Sequence, residues 1–156
     1  MKLFDSHLHL TDDAFAEIRD ETIARAREAG VVGMVSVASN AADGRAALQL
    51  ANAHEGVWAT AGLHPHEAHS FSPEQLSSLR TLAGDPGVVA IGETGLDFYY
   101  DNSPRAEQEA SFEAQLALAS ETGLPVVVHS RAADAETIRF IRAFEGRVVG
   151  VLHCFS

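Results

Sequence analysis

A parallel α/β fold is predicted by three observations. Six strand-sized apolar runs alternate strictly with five segments of helical spacing. The runs are continuously apolar, as in "VVGMV", "GVVAI" and "PVVV", the pattern of strands buried on both faces of a parallel sheet. Polar residues of ligand type recur directly after these runs. That places them at the C-terminal ends of the strands, the edge on which parallel α/β folds build their sites.

The elements follow in order. "KLFDSHL" reads as the first strand. From Asp13 to Ala29 the apolar residues Phe15, Ile18, Ile23 and Ala26 have helical spacing, and Gly30 stands where a helix terminates. "VVGMVSVAS" is a second strand, followed by a helix from about Ala41 to His54 and the strand "GVWATAGLH". Ser72-Pro73 opens the next helix, with Pro at its first position. "GVVAIGETGL" is the fourth strand. Ser103-Pro104 starts a long helix with Phe112, Leu116 and Ala119 on one face. "LPVVVHS", a helix over Glu136 to Phe144 and "RVVGVLHCF" complete the series. Right-handed crossovers make this either a doubly wound sheet or a (β/α) barrel. A closed barrel takes eight units and typically about 250 residues. A chain of 156 residues with six strands therefore predicts a single domain over 1–156 whose barrel is incomplete.

Composition narrows the function. At 46% hydrophobic and 21% charged the chain is an ordinary globule, not a disordered or disulfide-built one. No apolar run is long enough to span a membrane, and "MKLFDSHLHL" lacks the unbroken apolar stretch of a signal peptide. The single cysteine, Cys154, suits a reducing compartment. The expectation is a cytoplasmic protein. A net charge of -11 argues against a broad basic face for nucleic acid. It leaves room for a nucleic-acid substrate gripped locally, since bound cations neutralise phosphate at an acidic site.

The strand ends carry the chemistry: "HLH", "GLHPH", "GETGLD", "VHSR" and "LHC". Strand alternation points His7 and His9 the same way, so the two imidazoles can chelate one ion. Alone, this is a weak signal; two further strands ending in His strengthen it. Glu93 follows the apolar "VVAI", a poor surface position, and a buried carboxylate is costly without a partner. Its two oxygens can bridge two cations, and Gly92 and Gly95 let backbone and ion approach. Asp97 reads as a residue behind the ligands or a loop cap. His129 and His153 follow matching apolar runs; either alone reads more simply as a satisfied structural histidine. Imidazole and carboxylate together suit zinc, manganese or similar ions. Cys154 should point away from His153 and pack. His64 and His66 flank a stiff Pro65 and suit substrate contact or proton transfer, the plainer reading being an exposed loop. Arg131 can fork a phosphate or begin a helix with a salt bridge.

Taken together, "DSHLHL", "GLHPH", "IGETGLDFYY", "SPRAEQEASFEAQLALASETGLPVVVHSR" and "GVLHCFS" resemble the TatD family of metal-dependent hydrolases, in the amidohydrolase-like class of (β/α) barrels. The segments cover the chain from end to end, and the long central one is specific. The resemblance implies a TIM-barrel type fold with about six of eight units present and a site for two divalent ions (Mg, Mn or Zn). By it, His7 and His9 hold one ion, Glu93 bridges, and His129 and His153 hold the other. Joined to the reading of the strand ends, this site makes Glu93 and His64 the expected catalytic residues and His64, His66 and Arg131 the expected substrate contacts. The family's usual activity is cleavage of phosphodiester bonds in DNA, less often RNA; some relatives deacylate aminoacyl-tRNA. The family's remaining ligand is an aspartate after the "HCFS" segment, so these residues look like the first part of such a hydrolase.

Two other readings remain. One is a weakly metal-binding, inactive fragment whose open sheet edge aggregates or dimerises; no stable protein partner is otherwise indicated. The other is an amide or ester hydrolase of the same barrel class. Many of those use a modified bridging lysine, whereas here Glu93 takes that place and Lys2 is the only lysine.

Overall fold

The computed structural model describes residues 1–153. Six strands form one sheet in the order β1 (Leu3–Leu8), β2 (Val31–Ser36), β3 (Val57–Ala61), β4 (Val88–Asp97), β5 (Val126–Arg131), β6 (Gly150–His153). Every pairing is parallel. The helices α1 (Arg19–Glu28), α2 (Ala41–Ala53), α3 (Pro73–Ala83), α4 (Arg105–Thr122) and α5 (Asp134–Ala143) supply the crossovers. Sequential strand order settles the open choice: the sheet curls as a barrel wall and does not reverse as a doubly wound sheet does. Among the described residues β1 and β6 do not pair, so the barrel stays open. Their C-terminal ends nevertheless converge, for the His7 and His153 rings stack 3.5 Å apart. Among the described residues no helix is long and apolar enough to cross a membrane.

Three helix boundaries depart from expectation, each for a local reason. The pattern over Asp13–Ala29 divides into a 3-10 turn, Asp13–Phe15, and α1, because the Asp12 carboxylate caps the Ala14 N–H and closes a turn of its own. The helix expected at Ser103 begins at Arg105. The Ser103 hydroxyl is engaged elsewhere, accepting from His69 N and donating to His66 O. The stretch after His64 is a 3-10 helix, Pro65–Ser70, with Pro at its start. The expectation that Cys154 packs away from the site lies outside the described residues.

The apolar core sits between the middle strands and α2 to α5. Phe112, Leu116, Leu118, Leu79 and Ile91 are fully buried there, each stabilising the fold by about 2–3 kcal/mol. A smaller cluster of Leu10, Ile23, Met34 and Val57 fixes α1 to the sheet. Burial on both faces holds for β3 to β5 but fails at the rims. Phe4 on β1 is 56% exposed and Val151 on β6 is 53% exposed. Among the described residues each rim strand has one neighbouring strand, and its inward face looks into the gap.

Candidate metal centre

On β4 the residues Glu93, Gly95 and Asp97 share one face, and both carboxylates are buried. Glu93 is ringed by histidines from three other strand ends. His129 Nδ1 lies 3.0 Å from Oε1, His7 Nε2 3.3 Å from Oε2 and His64 Nε2 3.9 Å from Oε1. Asp97 works on both sides. Its Oδ1 accepts from the Tyr99 and Tyr100 backbone N–H groups, and Oδ2 stands 2.9 Å from His66 Nε2 and 3.0 Å from His129 Nε2.

Two buried glutamines on α4 position these loops. Gln108 and Gln115 lie seven residues, about two turns, apart and so share a face. The Gln115 amide accepts from Leu63 N at 2.8 Å and donates to Leu63 O at 3.0 Å, fixing the backbone just before His64. The Gln108 amide accepts from Asp97 N and donates to Asp97 O. Each satisfies backbone groups that are buried and would otherwise be costly. The two glycines give the close backbone approach expected of them, and the backbone they admit is that of strand β5. A Cβ on Gly95 (φ +135) would lie 2.0 Å from His129 O, and one on Gly92 (φ +145) 2.6 Å from Val127 O.

The protonation states follow from burial and partners. Burial alone would raise the Glu93 carboxyl, but the hydrogen bond from His129 and the close approach of His7 and His64 overcome it and hold Glu93 far below the usual carboxylate range. Asp97 is likewise lowered, its burial outweighed by the Tyr100 N–H, His66 and His129. Burial would lower His129, yet Glu93 and Asp97 together raise it. With a carboxylate oxygen at each ring nitrogen, it is the imidazolium that fits. His64 is lowered to about 4, burial prevailing over the attraction of Glu93, so it is neutral at pH 7. Its Nδ1 accepts from His66 N at 3.1 Å; the ring proton therefore sits on Nε2, facing Glu93 and the cleft. His153 is lowered, by burial first and then by its neighbour His7.

The residues fit divalent cations. Both ring nitrogens of His7 are buried without a hydrogen-bond partner, an orphaned state that ligation would relieve. His9 sets Nδ1 3.0 Å from Val37 O, so that nitrogen donates and Nε2 is left as a lone-pair donor. Two sets of donor atoms each lie within 4.8 Å of one another: His7, His9, Glu93 and His64, Glu93, His129. Glu93 belongs to both. The Nε2–H tautomer of His64 makes it a hydrogen-bond donor rather than a ligand in the second set. A cleft of about 360 Å³ opens beside these groups, lined in part by Asp12, Ser39 and Asp43.

Comparison with known proteins matches residues 4–156 to the family model described as TatD related DNase. The chain belongs to the TatD related DNase family. Curated relatives include the 3'-5' ssDNA/RNA exonuclease TatD of Klebsiella pneumoniae, 44% identical, the match covering 99% of this chain and 59% of the relative. The protein of the same description from Erwinia tasmaniensis is 46% identical over 99% of this chain and 60% of its own length. The crystal structure of YJJV, a TatD homologue from Escherichia coli K12, superposes with a TM-score of 0.92 at 30% identity, covering 99% of this chain and 60% of that one. The chain thus spans about 60% of the length of the TatD relatives it matches.

Of the residues that resemblance to the TatD family singles out, His7, His9, Glu93, His64 and His129 converge on one point. His66 joins them through Asp97. His153 faces the same space from β6 but stacks on His7, and His64 stands nearer to His129 and Glu93. Arg131 is exposed on the rim, its guanidinium over the Tyr99 and Tyr100 rings. Sequence reasoning left Asp97 open and missed Gln108 and Gln115. Asp97 could have been found by counting in twos from Glu93 along the strand. The glutamines carry a weaker signal: two amide side chains seven apart on a helix face that also carries Phe112, Leu116 and Ala119.

Proposed function

We propose that this chain carries the metal-binding part of a phosphodiesterase that cleaves DNA, and less readily RNA. The observation that supports it best is Glu93: a buried carboxylate with His7, His129 and His64 within 3.3, 3.0 and 3.9 Å of its oxygens. The exonuclease descriptions of the TatD relatives point the same way.

In this reading His7, His9 and Glu93 hold one divalent ion, and Glu93, His129 and His153 hold the second. When bound, such ions supply Lewis-acid polarisation of a phosphoryl oxygen and an acidified water. The chain's own residues do the rest. Neutral His64 directs its Nε2–H at the phosphoryl oxygen and is placed to move a proton. His66, braced by Asp97, borders the same space. The Arg131 fork neutralises the phosphate. Displacing a proton from the His129 imidazolium couples ion uptake to pH. The single cysteine fits a cytoplasmic setting.

The test is metal-dependent cleavage of labelled single-stranded DNA by the wild type and by Glu93→Ala, with metal content measured alongside. The wild type cleaves and Glu93→Ala loses both metal and activity. Equal metal and equal cleavage in the two would sink the proposal. For assembly, the exposed inward faces of β1 and β6 support self-association. Size-exclusion chromatography then gives a concentration-dependent dimer, and a monomer at every concentration contradicts it.

A further inference from the structure

The lip formed by the ends of β4 and β5 carries two aromatic rings that the metal centre does not use. Tyr99 is 66% and Tyr100 52% exposed, although the chain buries its core aromatic Phe112 completely. The two rings meet edge to face, 4.9 Å apart at 89°. Their backbone N–H groups are held by Asp97 Oδ1, and the Tyr100 ring lies 5.6 Å from that of His66. The pair is therefore fixed beside the centre by the same carboxylate that braces His129.

We propose that Tyr99 and Tyr100, with Arg131, form the platform on which a nucleobase next to the cleaved phosphodiester stacks. This rests on the phosphodiesterase reading above and names the part of the substrate that reading leaves out. Three observations carry it. The Arg131 guanidinium lies 4.9 and 4.8 Å from the two ring centroids. Among the described residues it makes no ion pair, so its fork is free for a phosphate while the rings meet the base. The cleft itself is lined by Asp12, Asp43 and Glu67, and neither tyrosine nor Arg131 is among its lining residues. These carboxylates repel a phosphate chain, which favours a path over the Tyr99–Tyr100 lip. With a net charge of -11, the protein cannot draw its affinity from a broad basic face. Stacking, which every base can offer, is the remaining sequence-tolerant source. Paired bases hide their faces, so the platform selects a single strand.

The experiment measures binding, by fluorescence anisotropy, of a short labelled oligothymidylate and of an abasic strand of equal length. Both carry phosphorothioate linkages to block cleavage, and metal is held constant. The Tyr99→Ala/Tyr100→Ala variant should bind the thymidylate about 10- to 100-fold more weakly and the abasic strand nearly as the wild type does. Tyr99→Phe/Tyr100→Phe should restore binding. The single variant Tyr99→Ala gives an intermediate loss and covers the case in which the double variant does not fold. Equal losses on both strands, or no loss on either, would overturn the platform. If the wild type binds and cleaves normally while the alanine variants do not differ from it, only the platform fails. If the wild type neither binds nor cleaves, the phosphodiesterase reading fails with it.

Discussion

His129 on β5 and His7 on β1 are both imidazoles at the C-terminal rim of one sheet, facing one carboxylate. They are held in opposite ways. His129 sits between Glu93 and Asp97 with a carboxylate oxygen 3.0 Å from each ring nitrogen, on a strand paired on both sides. His7 has no hydrogen bond to either ring nitrogen and rides on a rim strand whose Phe4 is 56% exposed. The inner half of the centre is preorganised without an ion, its positive charge supplied by the imidazolium. The rim half is poised but unsatisfied, and ligation would complete it.

The comparison breaks most severely at Gly95. Gly95→Ala places a Cβ 2.0 Å from His129 O at a φ of +135. The β4–β5 junction should lose at least about 3 kcal/mol, seen as a large fall in denaturation midpoint. Gln115→Leu comes next. It leaves the Leu63 N–H and C=O buried without partners, at a cost of about 2 kcal/mol, and it loosens His64 while leaving the His7 side untouched. At the rim, Val151→Ala removes a side chain already 53% exposed. It should change stability by less than about 1 kcal/mol in the same denaturant titration. A rim variant as damaging as the central ones would erase the distinction.

Titration sharpens it. His64, lowered from 6.5 to about 4, binds fewer protons folded than unfolded in that window. The metal-free chain should therefore lose stability as pH falls from 6.5 toward 4, by up to about 3 kcal/mol. His64→Asn should flatten that limb. His129 acts with the opposite sign: its value is raised, so its contribution is present below the ordinary histidine value and fades as pH rises through the raised one. Calorimetry of metal uptake at neutral pH in buffers of different ionisation enthalpy should show proton release, and His129→Ala should abolish it.

The sequence made the alternation, strand order and rim chemistry legible because these rest on local periodicity. "VVAI" before Glu93 and "PVVV" before His129 mark buried strands without any tertiary information. The helix split at Phe15 was not legible, since the Asp12 cap reads the same at a helix start as at an isolated turn. The open sheet edge followed from counting six strands, but exposure of the inward faces of β1 and β6 escaped, because an apolar run says that a strand can be buried and not what covers it. The glutamine clamps escaped for a related reason. Gln115 bonds to Leu63, 52 residues away, and no local pattern announces that pairing.

The central claim is that one buried carboxylate serves both halves of the centre. The most direct measurement is titration of manganese into the metal-free chain and into Glu93→Gln, counting bound ions. The wild type should take two ions. The single substitution should weaken both by about 100-fold or more, as loss of a shared charged ligand demands. Two ions bound undiminished by Glu93→Gln, or the loss of only one, would contradict the account.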